Sequence, residues 1–257
     1  MRPRSGSDSE DIIERICSRM FFSDFVVRNP SHTKLKGKKI ELADLIIPFG
    51  NTLLTFQIKS KYQLKKADEK SPVDFQRLTD AIDDGVNQIK TIKRALGNNW
   101  LRGIETARGY RIDVNPADVE KVVGVVILDL IGEESLPRED RTQLFGSFTE
   151  RNGLPIHVFL AGEFFGISKE LDTLTDFMEF LHMTQELYKG SLITIPPATM
   201  DLLAFHKMYP DDLENAITSG INILLEEGLW EAYQTKHSEA IAKRDRLNEP
   251  SYLIDGI

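Results

Sequence analysis

Cysteine is almost absent from this chain of 257 residues; the single one is Cys17. A disulfide framework and any CxxC redox or metal motif are therefore excluded. Cys17 stands among Ile12, Ile13, Ile16 and Met20, a setting that suits a buried apolar thiol better than a nucleophile. His32, His157, His182, His206 and His237 show neither HExxH nor HxH spacing, which removes the common zinc patterns. There is no GxSxG, no GxGxxG and no GxxxxGKS or GxxxxGKT loop. Without that phosphate loop, the strand-like Val125 to Leu128 ending at Asp129 does not make a nucleotide hydrolase. Long apolar runs are lacking too: the longest, Val122 to Leu128 continued through Asp129 to Ile131, is about half of what a bilayer requires. No basic-then-apolar leader precedes it, so a soluble, cytoplasmic protein without membrane contact is expected.

What is present is enough apolar sequence, 41% of residues, for a full core. The charge is unevenly divided. Residues 1 to 111 carry 21 Lys and Arg against 14 Asp and Glu, whereas residues 112 to 257 carry 11 against 26, for a net charge of −8. The first part can face a polyanion; the second part is poorly suited to one.

Helical spacing of Ile12, Ile13, Ile16, Cys17 and Met20 predicts a first helix opened by Ser7-Asp8-Ser9-Glu10 and ending near Phe22. Phe25-Val26-Val27 reads as a short strand. Two β-prone runs follow, Leu42 to Phe49 and Thr52 to Ile58, joined by Gly50-Asn51, a pair suited to a primed two-residue turn. Pro48 raises the prospect of a bulge or an edge in the first run. Ser71-Pro72-Val73-Asp74 starts a second helix, whose stripe runs from Phe75 and Leu78 to Leu96 and which stops at Gly97. Tyr110 to Val114, Val122 to Leu130 and Ile156 to Ala161 read as strands. Ser168 is expected to begin a helix that ends at Lys189-Gly190. Beyond Met200 the chain reads as helical, with Leu213, Ile217, Ile221, Leu224 and Leu225 on one stripe and Gly228 as a stop.

With Gly50 and Asn51 as turn residues, Phe49 pairs with Thr52, Ile47 with Leu54, and Asp44 with Gln57. Lys59 lies on the same strand face as Gln57. A carboxylate, an amide and an ammonium thus gather inside otherwise apolar runs, where each costs several kcal/mol if buried unpaired. One explanation is a plain Asp44–Lys59 ion pair, contributing about 1 kcal/mol or less. The other is a divalent-metal site. Asp44 and the Gln57 side-chain oxygen would be ligands, the Ile58 carbonyl a backbone ligand, and Lys59 a group that orients water and offsets charge in phosphodiester hydrolysis.

A helix with a glutamate, a short strand, Glu41-Leu42-Ala43-Asp44-Leu45-Ile46, a turn and Phe56-Gln57-Ile58-Lys59-Ser60 together resemble the restriction-endonuclease-like PD-(D/E)XK superfamily over residues 7 to 130. The resemblance implies an α/β fold, an α-β-β-β-α-β core with a mixed central sheet, placed in residues 1–165; by charge and helical pattern, residues 166–257 are expected to form a mostly helical acidic accessory region packed on it. It also implies Mg²⁺ or Mn²⁺ held by Asp44 and Gln57, and Lys59 as the catalytic lysine. Gln57 departs from the usual acid, removing one negative charge and leaving a degenerate site open. A first-helix acid completes such sites. Glu14 ranks ahead of Glu10, because a capping box with Ser7 accounts for Glu10 locally. Glu41 falls on the opposite strand face.

Lys34, Lys36, Lys38 and Lys39 before the hairpin, and Lys61, Lys65 and Lys66 after Lys59, are candidate phosphate contacts, as is Gln88 on the second helix, which the resemblance implicates. The expected activity is that of a metal-dependent DNA endonuclease, in restriction or defence against foreign DNA. The alternative is a catalytically silent nuclease-like module that binds nucleic acid or a partner protein. The acidic region is expected to support the core, to form a homodimer or to meet a partner protein.

Overall fold

The computed structural model describes residues 6–21, 23–33, 39–63, 75–131, 146–149, 153–171, 173–193, 197–225 and 227–254. The first helix, α1 (Gly6–Met20), buries Ile13, Cys17 and Met20, one stripe at helical spacing. Strands β1 (Val27–Arg28), β2 (Ser31–Thr33), β3 (Lys39–Glu41), β4 (Leu45–Phe49) and β5 (Thr52–Gln63) follow, then helix α2 (Phe75–Gly97). After β6 (Ile104–Glu105) and β7 (Arg111–Ile112) come β8 (Lys121–Ile131), β9 (Gly146–Thr149) and β10 (Pro155–Leu160).

The central sheet is mixed, in the order β1-β4-β5-β8-β10-β9, so the chain is an α/β protein. β5, β8 and β10 run parallel; β1, β4 and β9 pair antiparallel to their neighbours. Parallel strands are covered on both faces, which is why β8 reads as an uninterrupted apolar run. Val123, Val125 and Ile127 point to the side of α1, while Val126, Leu128 and Leu130 pack under α2. Close approach of α2 depends on Gly85: a Cβ there would meet Val126 Cγ1 at 3.0 Å and lie 3.6 Å from the Gln57 Cβ. Any larger residue would lift the helix from the sheet.

Among the described residues five helices follow β10: α3 (Ala161–Glu170), α4 (Leu174–Lys189), α5 (Thr199–Met208), α6 (Pro210–Ser219) and α7 (Leu229–Ile254). The helix expected from Ser168 to Lys189 is two helices: α3 begins earlier, at Ala161, and α4 opens at Leu174 under a Thr173 cap and ends at Lys189 before Gly190. The first turn of α3 has Leu160 where a polar cap would signal it, and the Glu163 carboxylate reaches back to the Leu160 N–H. The boundary expected after residue 165 falls inside α3. One hydrophobic cluster joins Phe56 and Val125 of the sheet to Phe164, Phe177, Leu203 and Leu213 of the C-terminal helices. The stripe drawn through Ile221 and Leu224 breaks, because α6 ends at Ser219 and these two side chains are 59% and 65% exposed. Gly228 precedes α7 instead of ending a helix. The expected start at residues 71–74 lies outside the described residues. Among the described residues no helix is long and apolar enough to cross a membrane.

Candidate metal and phosphodiester site

The β4–β5 hairpin keeps the register read from its turn. Leu45 pairs with Phe56, Ile47 with Leu54 and Phe49 with Thr52, and Pro48 sits opposite Leu53 without a bulge. Gly50 takes φ +54°, as the first position of a primed turn requires. One step beyond Leu45–Phe56 the register sets Asp44 against Gln57, but there β4 ends and the chain bends away.

Asp44 marks the point of departure. Its main-chain carbonyl accepts the Asn29 N–H at 2.8 Å, and its side-chain Oδ2 accepts the Ile58 N–H at 2.5 Å. A carboxylate therefore takes the place that a strand carbonyl would hold in a continuing ladder. The N–H and C=O of one strand residue point to the same neighbour, so the Ile58 carbonyl is directed toward the Asp44 side as well. Burial pushes the Asp44 pKa up to about 6; the Ile58 N–H opposes this, Glu10 and Glu41 reinforce it, and Lys59 opposes it. The charges of Glu10 and Lys59 thus both reach Asp44.

Gln57 points to the α2 face and is 1% exposed, yet neither its Oε1 nor its Nε2 has a hydrogen-bond partner among the described residues. An orphaned buried amide costs about 1–3 kcal/mol, a cost that a bound ion or an ordered water would offset. Two residues on, Lys59 rises toward α2, and its Nζ donates to Gln88 Oε1 at 2.9 Å. Gln88, expected as a nucleic-acid contact, here holds the lysine.

On α1 the two candidate acids are held differently by Arg28. The helix begins at Gly6, one residue before Ser7. Glu14 is engaged by Arg28 of β1, its Oε2 2.8 Å from Nη1, whereas the Glu10 Oε2 stands 3.6 Å from Nη2. Asp11 also meets Nη1, at 2.5 Å. Glu10, and not Glu14, is the helix acid whose charge acts on Asp44. A second tie, from Ser9 Oγ to Asp129 Oδ2, fastens the same helical turn to β8. Reading the sequence alone missed Arg28 and Ser9. Their signal was present only as a basic residue after a strand and a small polar one on an amphipathic helix.

The candidate donors to a divalent cation are Asp44, the Gln57 amide oxygen, the Ile58 carbonyl and, of the α1 acids, Glu10, whose charge raises the Asp44 pKa. Hard oxygen donors of this kind suit Mg²⁺ or Mn²⁺. Among the described residues no group of three or more His, Cys, Asp or Glu side chains is placed to hold a metal ion. The set contains two such residues, and its other two donors are neutral. Lys34, Lys36, Lys38, Lys65 and Lys66 lie outside the described residues, as do the side chains of Lys39 and Lys61. Compared with known proteins, the chain matches no family model, no curated protein and no solved structure.

Proposed function

We propose that this chain is a Mg²⁺- or Mn²⁺-dependent phosphodiester hydrolase, acting on DNA as an endonuclease with a restriction-endonuclease-like core. The observation that carries the reading is the orphaned amide of Gln57 next in register to the raised carboxyl of Asp44, at the place where the hairpin opens. The order of the central-sheet elements and their two helices supports it, with β2-β3 and β6-β7 set aside as separate ribbons: α1, the antiparallel-paired β1, β4 and β5, then α2, and β8 parallel to β5.

Asp44, Gln57, the Ile58 carbonyl and Glu10 would hold the cation. When bound, a divalent cation supplies Lewis acidity toward a phosphoryl oxygen and lowers the pKa of water. Lys59, steadied by Gln88, brings positive charge to the phosphate and orients the attacking water. Ile58 N–H holds the Asp44 carboxylate in one rotamer, so the ligand is set before the substrate arrives. The lysines on either side of the hairpin would carry the DNA backbone, in a cytoplasmic role against foreign DNA. The acidic C-terminal helices would stay clear of it and serve a homodimer or partner contact.

The neutral Gln57 favours one competing reading, a nuclease-like module that binds nucleic acid or a partner protein without cleaving. Supercoiled plasmid incubated with Mg²⁺ or Mn²⁺ separates the two. Nicking that vanishes in Asp44→Ala and Lys59→Ala supports hydrolysis. Plasmid left intact by wild type, or nicked equally by both variants, overturns it.

A further inference from the structure

Strand alternation sets Val27 toward the α2 side with Ile46 and turns Arg28, opposite Leu45, toward α1. The guanidinium meets three acids of one helical stripe: Asp11 at 2.5 Å, Glu14 at 2.8 Å and Glu10 at 3.6 Å. These acids are spaced so that they repel one another across a turn. A guanidinium has a planar fork of donors that can bridge several carboxylates, but it neutralises only one charge. The two short contacts both use Nη1, and the longest belongs to Glu10. The same turn is fastened from its other side by Ser9 on Asp129. Arg28 also adjoins Asn29, whose N–H holds the Asp44 carbonyl.

We propose that Arg28 is a positioning residue that sorts the α1 acids: it takes up Asp11 and Glu14 and leaves Glu10 as the one carboxylate offered to the cation beside Asp44. This rests on the metal-site reading above. The sorting explains how a stretch with three acids in five residues, Glu10 to Glu14, presents one ligand, the number a site with a neutral glutamine and a backbone carbonyl can use. The negative charge that Arg28 leaves uncompensated on the helix attracts a divalent cation to the same corner.

The test is Mn²⁺ binding to the intact chain without DNA, followed by electron paramagnetic resonance, with circular dichroism to verify folding. Glu10→Gln is expected to weaken Mn²⁺ binding about tenfold or more, and Glu14→Gln and Asp11→Asn by no more than about threefold. In an Arg28→Gln background the distinction should collapse, because Glu14 is released: Glu10→Gln then costs less than about threefold. Arg28→Lys keeps the charge but lacks the fork, and it should shrink the distinction as well; it serves where Arg28→Gln does not fold. Equal losses from Glu10→Gln and Glu14→Gln beside wild-type Arg28, or an unchanged distinction in both Arg28 variants, overturn the sorting while leaving the metal site intact. Wild type that binds no Mn²⁺, or Asp44→Ala that binds as wild type does, overturns the metal site and the sorting with it.

Discussion

The Ile58 N–H donates to the Asp44 carboxylate at 2.5 Å, so a side chain closes the β4–β5 ladder where the strands part. That carboxylate is mostly buried, and its pKa of about 6 lies above the value it has in an unfolded chain. The sign follows from linkage. The folded state favours the protonated form, so this group's stabilising effect is complete below pH 4 and is lost as pH rises through 6. Two units correspond to about 3 kcal/mol. Asp44→Asn keeps an oxygen for the Ile58 N–H and removes the charge. Urea unfolding without metal should show Asp44→Asn more stable than wild type at pH 7.5, with the difference disappearing near pH 4. A difference that does not grow across this interval would contradict the account.

Gln57 makes the same trade in another form. Its amide is buried under α2 with neither atom hydrogen-bonded among the described residues. Replacing it with leucine, of similar volume, removes the orphaned groups and adds apolar surface to the seam with Val126. Gln57→Leu should stabilise the metal-free protein by about 1–2 kcal/mol. It should also abolish any stabilisation of the fold by added Mn²⁺. Wild type gains stability as metal is raised, since a ligand that binds only the native state shifts unfolding by mass action. Thermal melts with and without Mn²⁺ read both effects. A destabilised Gln57→Leu protein would mean that the amide is satisfied in solution by something other than a metal.

The hairpin was legible because its signals are local. Gly50-Asn51 fixes the turn, and a turn fixes register, so the pairing from Phe49–Thr52 to Leu45–Phe56, which brings Asp44 to the end of the ladder beside Gln57 and Ile58, could be read without any tertiary information. The stripe of α2 and the buried run of β8 were legible for the same reason, each being one periodicity in one element. How Glu10 and Glu14 are held was not. It depends on Arg28, a residue of another element whose side chain reaches α1 only because β1 pairs with β4. The start of α3 escaped because Leu160 carries no capping oxygen, and the long-range contact of Lys59 with Gln88 has no sequence signal at all. Propensity and pattern locate elements; they do not tell which side chains from distant elements compete for one partner.

His157 on β10 opposes Asp44 in its effect on acid stability. It is 1% exposed, lies across from Ser147 of β9, and neither ring nitrogen is hydrogen-bonded among the described residues. Burial, with help from the charge of Lys121, lowers its pKa to about 3. An unfolded chain binds the proton near pH 6.5, so stability is present above that value and is lost as pH falls toward 3. At pH 4 the loss is about 3 kcal/mol, which outweighs or cancels the gain from protonating Asp44. His157→Leu should remove this loss. Unfolding free energies measured from pH 7 to pH 4 should then rise toward acid in the variant, exposing the Asp44 contribution, where wild type stays flat or falls. A variant with the wild-type profile would place the acid sensitivity elsewhere.

Gln88 is the residue that ties the lysine to the helix. It is exposed on α2, and its Oε1 accepts from Lys59 Nζ at 2.9 Å, so the hydrogen bond costs little to lose in stability. Substitution with alanine should leave the melting temperature unchanged, within about 0.5 kcal/mol of wild-type stability. What it removes is the restraint on a long side chain with several rotatable bonds, and a catalytic group set loose in this way loses effective concentration at the reacting phosphate. In a nuclease, Gln88→Ala should therefore lower kcat about tenfold at saturating DNA and Mg²⁺ while KM for DNA stays nearly constant. Gln88→Glu, which still accepts from Lys59, should restore most of that rate. A rise in KM with kcat preserved would instead make Gln88 a direct contact to the DNA backbone, and Lys59 would then need no partner on α2.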